Sequence, residues 1–279
     1  MSSDHAVEVA SGARFRFGAN WTAFLARLDD ERIGVAERSL LAMLERPSLA
    51  GLSFLDVGSG SGLFSLAARR LGARVASFDY DPQSVACTKE LRRRYRPDDP
   101  HWTVTEGSVL DAGFLATLGP ADVVYSWGVL HHTGALWQAL DNVAALVAPH
   151  GQLFLAIYND QGRASRAWLR VKRAYNALPR GLRWLVLGPA LVRLWGPTCV
   201  RDLFAGRPFA TWRNYAHGST RGMSAWHDVL DWVGGLPFEV ATPEAIFDFY
   251  RARGFTLQKL KTCAGGKGCN EYVFRRPSP

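Results

Sequence analysis

The chain has 279 residues, 48% hydrophobic and 21% charged, the balance of a globular protein with enough apolar material for a core. Its formal net charge of +8 favours acidic partners such as nucleic acid, anionic lipid or a phosphorylated small molecule, without choosing among them. That composition excludes an intrinsically disordered chain, and four cysteines are too few for a disulfide-built scaffold.

Taken in chain order, residues 24–44 read as one helix, with Ile33, Ala36, Leu40, Leu41 and Leu44 at helical spacing. After Pro47-Ser48, residues 52–57 form a short buried strand, and Gly58-Ser59-Gly60-Ser61-Gly62 turns it into a helix over 63–71. A second strand, 74–78, ends at Asp79; a helix over 82–95 and a third strand, 102–104, follow. Gly119-Pro120 introduces a fourth strand, 121–126. A helix over 136–146, a turn at Ala148-Pro149-His150-Gly151 and a fifth strand, 152–158, come next. This alternation predicts a doubly wound α/β fold with a mostly parallel sheet covered on both faces.

Beyond Tyr158 some 80 residues carry helical character and many aromatics, among them Trp168, Trp195, Trp212 and Trp232, and read as a helical insertion. Its most apolar stretch, 182–195, is too short to span a bilayer. Gly188-Pro189 interrupts it and only Arg183 and Arg193 are charged, so the expectation is a lid or pocket wall, not a membrane anchor. Thr242-Pro243 then caps a helix running to Arg253. Two last strands, 256–261 and 272–275, joined by a short Cys263-to-Cys269 connector, must pair antiparallel, which makes a seven-stranded sheet with a reversed last strand. Cys263 and Cys269 lack a second Cys/His pair at zinc spacing, so no metal is expected.

The chemistry concentrates in four segments. In the first, Asp56 precedes Gly58, Gly60 and Gly62, and only glycine lets backbone approach a ligand so closely. Leu63 stands where a dinucleotide fingerprint needs Gly or Ala, and no Gly-Lys-Ser/Thr marks a triphosphate loop. Asp56 would oppose a pyrophosphate but suits a ligand carrying an ammonium. In the second, Asp79 follows Gly62 by 17 residues at a strand end, where a carboxylate accepts ribose hydroxyls; Tyr80 is beside it. The third is Glu106-Gly107-Ser108-Val109, with Ser108 placed for an adenine edge. The fourth, Ser126-Trp127-Gly128-Val129-Leu130-His131-His132-Thr133, ends the fourth strand, on the side of the sheet where ligands bind.

Together, in this order, these segments resemble the class I S-adenosylmethionine-dependent methyltransferases, most of all the ubiquinone-biosynthesis-like small-molecule enzymes, which share the Gly128-to-His132 run. The resemblance covers about 52–158, and the last two strands less fully. It implies that Asp56, Gly58, Ser59, Gly60 and Gly62 hold the methionine part of S-adenosyl-L-methionine. By the same resemblance Asp79 takes the ribose, Ser108 and Val109 border the adenine, and Trp127 the methionine side; Tyr80 and Asp81, just after Asp79, are placed to flank an adenine. It divides the chain into an N-terminal helical cap (1–50), a cofactor-binding α/β core (51–158), a helical substrate lid (159–241) and a closing helix and strand pair (242–279). A leading segment closes over the cofactor in such enzymes, which nominates Trp21; packing alone is the competing role.

Methyl transfer from a sulfonium rests mainly on positioning, and a base is needed only when the acceptor must lose a proton. His131 and His132 are the catalytic candidates, with Asp160 and His227 as further substrate-side candidates; plain packing is the alternative for each. The leading expectation is O- or N-methylation of a small molecule by a cytoplasmic enzyme. An RNA-modifying methyltransferase is the first alternative, on the strength of the +8 charge, with nucleic acid the less favoured partner. A non-catalytic cofactor-binding protein is the second.

Overall fold

The computed structural model describes residues 2–26, 28–215 and 225–278; for Ser2, Ser3, Ala19 and His227 it describes the backbone alone. Strands β1 (Ser53–Val57), β2 (Arg74–Asp79), β3 (Trp102–Glu106), β4 (Ala121–Trp127), β5 (Val147–Tyr158), β6 (Thr256–Lys261) and β7 (Cys269–Arg275) form one seven-stranded sheet. Their order is β3-β2-β1-β4-β5-β7-β6. The first five are parallel, and β7 runs antiparallel to both β5 and β6, as the short connector requires. Consecutive side chains leave a strand on opposite faces, so Phe54 and Leu55 enter different cores.

The helices sort onto those two faces. Helices α3 (Asp30–Leu44), α4 (Leu63–Arg70) and α5 (Pro82–Tyr95) pack with Phe54, Trp102 and Phe154. Helices α6 (Ala112–Ala116), α7 (Leu136–Ala145) and α12 (Pro243–Arg251) pack with Leu55, Leu153 and Phe274. The remaining helices, α1 (Ser2–Ala10), α2 (Gly18–Leu25), α8 (Arg163–Ala177), α9 (Trp184–Phe204), α10 (Ala210–Arg213) and α11 (Ala225–Gly234), belong to the two segments outside the αβ alternation. A third cluster, built on Tyr175, Ala190, Val229 and Val233 with Trp168, Trp195 and Trp232 against it, gives α8, α9 and α11 a core of their own.

Three local expectations change. The single helix expected over 24–44 is two, because Asp29 is extended and its side chain caps α3 at the Arg32 amide, 2.9 Å away. Of these, α3 is part of the sheet-covering layer and not of a cap. The turn expected at Ala148-Pro149-His150-Gly151 is absorbed into β5: Ala121 pairs with Val147 but Val123 with Gln152, and His150 takes a φ of +59°. Finally, α9 does not break at Gly188-Pro189 but runs for 21 residues through Pro189 and Pro197. Both prolines are exposed, so water can satisfy the carbonyls they leave unpaired.

One buried cation sits in the helical segment. Lys172 of α8 donates to the Trp232 carbonyl, and its ammonium lies 5.0 Å from the Trp232 ring centroid and 4.6 Å from that of Phe238. Burial drives its pKa down to about 7, against the pull of Asp231. An unfolded lysine holds its proton to about pH 10.4. Between these values the unfolded state binds more protons than the folded one, so the fold gains stability as pH rises. Thermal melts of wild type and Lys172→Met from pH 7 to pH 10 check this: the wild type should gain on the variant across that range, and parallel curves would refute it.

Candidate active site

The site begins where β1 runs out. Gly58, Gly60 and Gly62 have φ of +79°, +55° and +82°, a conformation that side chains resist. The Gly58 and Ser59 amides both donate to the Phe78 carbonyl, at 2.9 and 3.0 Å, which ties the loop to β2. A Cβ on Gly58 would strike Val129 at 2.4 Å, and one on Gly60 would meet the Trp21 indole at 3.0 Å. Gly62 caps α4, and its missing Cβ faces Thr88 of α5. Its work is therefore helix packing, and it lies off the cavity that its two fellow glycines line.

Two carboxylates close the floor. Asp79 accepts from the Gly60 and Asp81 amides, each at 2.9 Å. Asp56 is 2% exposed and accepts from the Ser65 hydroxyl. Its one proton spent on Asp56, Ser65 accepts from Ser77 at 2.7 Å, and Ser77 in turn accepts from the Trp102 indole N–H at 2.9 Å. Neither acid has a cation partner among the described residues. Burial pushes Asp56 up to about 7, opposed by the Ser65 bond and reinforced by the charge of Asp79. Burial also lifts Asp79 to about 6, opposed by its amide donors.

Above this floor is a cavity of about 790 Å3, inside the range of roughly 300–1,000 Å3 usual for small-molecule sites. Asp56, Gly58, Ser59, Gly60, Asp79, Tyr80, Ser108, Val109, Trp127 and Trp21 line it. The N-terminal segment covers one side: the Gly18 amide donates to Asp81 at 2.8 Å, Arg14 lies over the Tyr80 ring at 4.8 Å, and Asn20 donates to Asp231 of α11. From the helical segment Leu194, Trp195, Thr198, Asp228, Val229 and Trp232 complete the wall. Among the described residues six carboxylates line the cavity against three basic side chains, in a protein of net charge +8. A polar floor for a nucleoside and a carboxylate surplus for a cationic group fit S-adenosylmethionine, which carries both.

The two histidines separate. His132 lines the cavity; its Nδ1 is 2.5 Å from the Pro237 carbonyl, so Nδ1 carries the proton and donates, leaving the lone pair on Nε2. Burial holds its pKa down to about 3, offset in part by that bond and lowered further by the charges of Lys172 and Arg14. His131 is fully buried behind it, stacked 3.9 Å from Tyr158, whose amide donates to His131 Nδ1 at 3.3 Å; it does not reach the cavity. Asp160 is exposed, binds the Gly162 amide at 2.7 Å and also lies off the cavity. The His227 side chain is outside the described residues. Sequence reasoning missed Tyr158, Phe17 and Asp231, which line the cavity. Asp81, two residues past Asp79 and readable with Tyr80 as flanking an adenine, lines it too. Among the described residues no group of three or more His, Cys, Asp or Glu is placed to hold a metal ion.

Comparison with known proteins agrees with this geometry. A family model described as a methyltransferase domain matches residues 23–196. A ubiquinone biosynthesis O-methyltransferase of Caulobacter vibrioides is 28% identical over 191 residues, 64% of this chain and 69% of that protein. Its namesake in Xanthomonas oryzae pv. oryzae is 32% identical over 181 residues, 63% of this chain and 74% of the other. Among solved structures, the N-methyltransferase NodS of Bradyrhizobium japonicum WM9 with S-adenosyl-L-homocysteine shares the fold at a TM-score of 0.50 and 16% identity, covering 95% of this chain and 100% of that one. Magnesium protoporphyrin IX methyltransferase of Synechocystis PCC 6803, also with that product bound, gives 0.50 and 16%, covering 88% and 86%. The chain belongs to the methyltransferase-domain family. It is a class I methyltransferase, and its cofactor is S-adenosylmethionine.

The raised carboxylates set the pH dependence of binding. A cationic, hydroxyl-bearing ligand favours their ionised forms, so binding near pH 6 should release protons and affinity should fall as pH drops from 8 to 5. Calorimetry with S-adenosylmethionine in buffers of different ionisation enthalpy measures both. Asp79→Ala should lose tenfold or more at pH 8, since each hydrogen bond to a charged group contributes about 1.5–3 kcal/mol. A pH-independent wild type would contradict this.

Proposed function

We propose that the enzyme methylates a hydroxyl oxygen of a small aromatic acceptor, with His132 as the proton acceptor. The observation that carries this reading is the fixed His132 tautomer: the Pro237 carbonyl takes the Nδ1 proton, and Nε2 keeps its lone pair on a cavity-lining ring. The cofactor supplies the methyl group on a sulfonium leaving group. What the chain contributes is placement and a route for the hydroxyl proton. Phe17, Tyr158, Trp195 and Trp232 on the wall suit a flat apolar acceptor. The curated relatives are named O-methyltransferases, which favours oxygen over nitrogen.

In this reading Gly58, Ser59, Gly60, Asp56, Asp79, Tyr80, Ser108, Val109 and Trp127 hold the cofactor. Residues 11–26 and the helices of 159–241 act as two lids, and the reaction is cytoplasmic. The carboxylate surplus of the cavity disfavours a polyanionic acceptor, so the basic excess of the chain does not argue for RNA. The calorimetric test of cofactor binding is indifferent to the acceptor, so the two parts fail separately.

Methyl transfer from labelled cofactor to a panel of catechols, other phenols and aryl amines identifies the acceptor class. With a phenolic acceptor, His132→Ala should lower kcat by roughly 10²–10⁴ while leaving cofactor affinity near wild type. Because burial keeps His132 neutral, wild-type kcat should stay flat from pH 5 to pH 8, and acid pH should raise KM for the cofactor instead. Amine-only activity, or an unimpaired His132→Ala, would remove the base from the mechanism.

A further inference from the structure

Helix α9 has two working sides. Leu194, Trp195 and Thr198 line the cavity, and Leu187, Ala190 and Leu191 pack into the third cluster. The other side, an arc of roughly 120° at 3.6 residues per turn, holds Leu185, Val192, Val200, Leu203 and Phe204 in solvent, and Trp184 is exposed beside it in the first turn. Phe204 is 88% exposed, Val192 69% and Trp184 65%. Pro189 lies on the same arc and Pro197 at its edge, while Leu182 and Phe209 extend the apolar surface past either end of the helix. Most of the large exposed hydrophobic side chains of the described protein therefore fall in one stretch of the chain, a concentration that marks an interaction surface.

Charge identifies the occupant. Residues 180–213 contain six arginines, Arg180, Arg183, Arg193, Arg201, Arg207 and Arg213, and a single acid, Asp202. That acid is already engaged by the Thr211 amide and hydroxyl, at 2.7 and 2.8 Å, and by Arg201 at 3.5 Å. An apolar face flanked by arginines that outnumber acids six to one complements a surface that is apolar within and anionic at its edge. A second copy of this chain would bring the same arginine rim against itself. No helix among the described residues is long and apolar enough to cross a membrane. We propose that the outer face of α9 docks on an anionic lipid bilayer, the helix lying in the plane of the interface with Trp184, Val192, Leu203 and Phe204 in the headgroup–acyl boundary.

The local sequence pattern argued the other way, because Gly188-Pro189 was expected to break the apolar stretch and only two charges fell within it. With the helix continuous to Phe204, the apolar face runs nine residues beyond Trp195 and the flanking arginines join it. The cavity wall and the lipid face are then opposite sides of one helix, which puts an acceptor dissolved in the bilayer one helix diameter from the site. This inference does not rest on the acceptor assigned above.

Vesicle co-sedimentation of the full chain tests it, with phosphatidylcholine alone and mixed with phosphatidylglycerol. The protein should pellet with the mixed vesicles, and less so as salt is raised. The triple substitution Val192→Asn, Leu203→Asn, Phe204→Asn touches only exposed side chains outside the cavity. It should reduce binding roughly tenfold or more, while S-adenosylhomocysteine affinity stays at the wild-type value and certifies the fold. Arg180→Glu with Arg207→Glu should weaken binding to the mixed vesicles as well. Failure of the wild type to pellet, or equal pelleting of the triple variant, overturns the proposal. So does concentration-dependent dimerisation that the triple variant abolishes while vesicles bind neither protein, which would assign the face to a second copy.

Discussion

Two carboxylates stand at the carboxyl ends of adjacent parallel strands with no cation beside them among the described residues, and the site is arranged around that charge. Asp56 and Asp79 are brought together by the parallel register of β1 and β2, in which Val57 faces Phe78. Burying two acids this close is unfavourable, and the fold offsets the cost with donors instead of counter-ions. The Trp102–Ser77–Ser65 chain serves Asp56, and the Gly60 and Asp81 amides serve Asp79. The glycine loop thus has a second task beside making room: its Gly60 amide holds the Asp79 carboxylate in place.

The rest of the molecule closes over this floor by contacts far apart in sequence. Arg14 donates to the His132 carbonyl at 2.9 Å, and Phe17 packs on the His132 ring at 4.8 Å. The Phe15 amide bonds the Leu236 carbonyl at 3.0 Å, and Asn20 reaches Asp231. The N-terminal segment and α11 therefore meet at the histidine. Lys172 stands behind the same wall and lowers the His132 pKa through its charge while its own ammonium is boxed by Tyr158, Trp232 and Phe238.

What the sequence made legible is local. The glycine loop, the strand-end Asp79, the Thr242 cap and the closing hairpin are each written in a handful of consecutive residues, and each appears as expected. Boundaries that depend on one cap, such as Asp29, were not visible, because the periodicity on either side is the same. The separation of His131 from His132 was also hidden. Adjacent residues in a 3-10 turn point in different directions, and the partners that decide between them, Tyr158 and Pro237, are 27 and 105 residues distant. Pro189 read as a break because the cost of proline in a helix is a local rule, while the relief is exposure, a tertiary property.

The central claim is electrostatic: the floor carries two carboxylates held near neutral pH, awaiting a positively charged ligand. Carboxyl-selective 13C NMR titration, with Asp56→Asn and Asp79→Asn as assignments, reads it directly. The account predicts two carboxyls titrating near 7 and 6 in the free protein, both falling to the ordinary range or below once S-adenosylmethionine saturates the site. Ordinary titration near 4 for both in the free protein, or values that the ligand leaves unmoved, would contradict it.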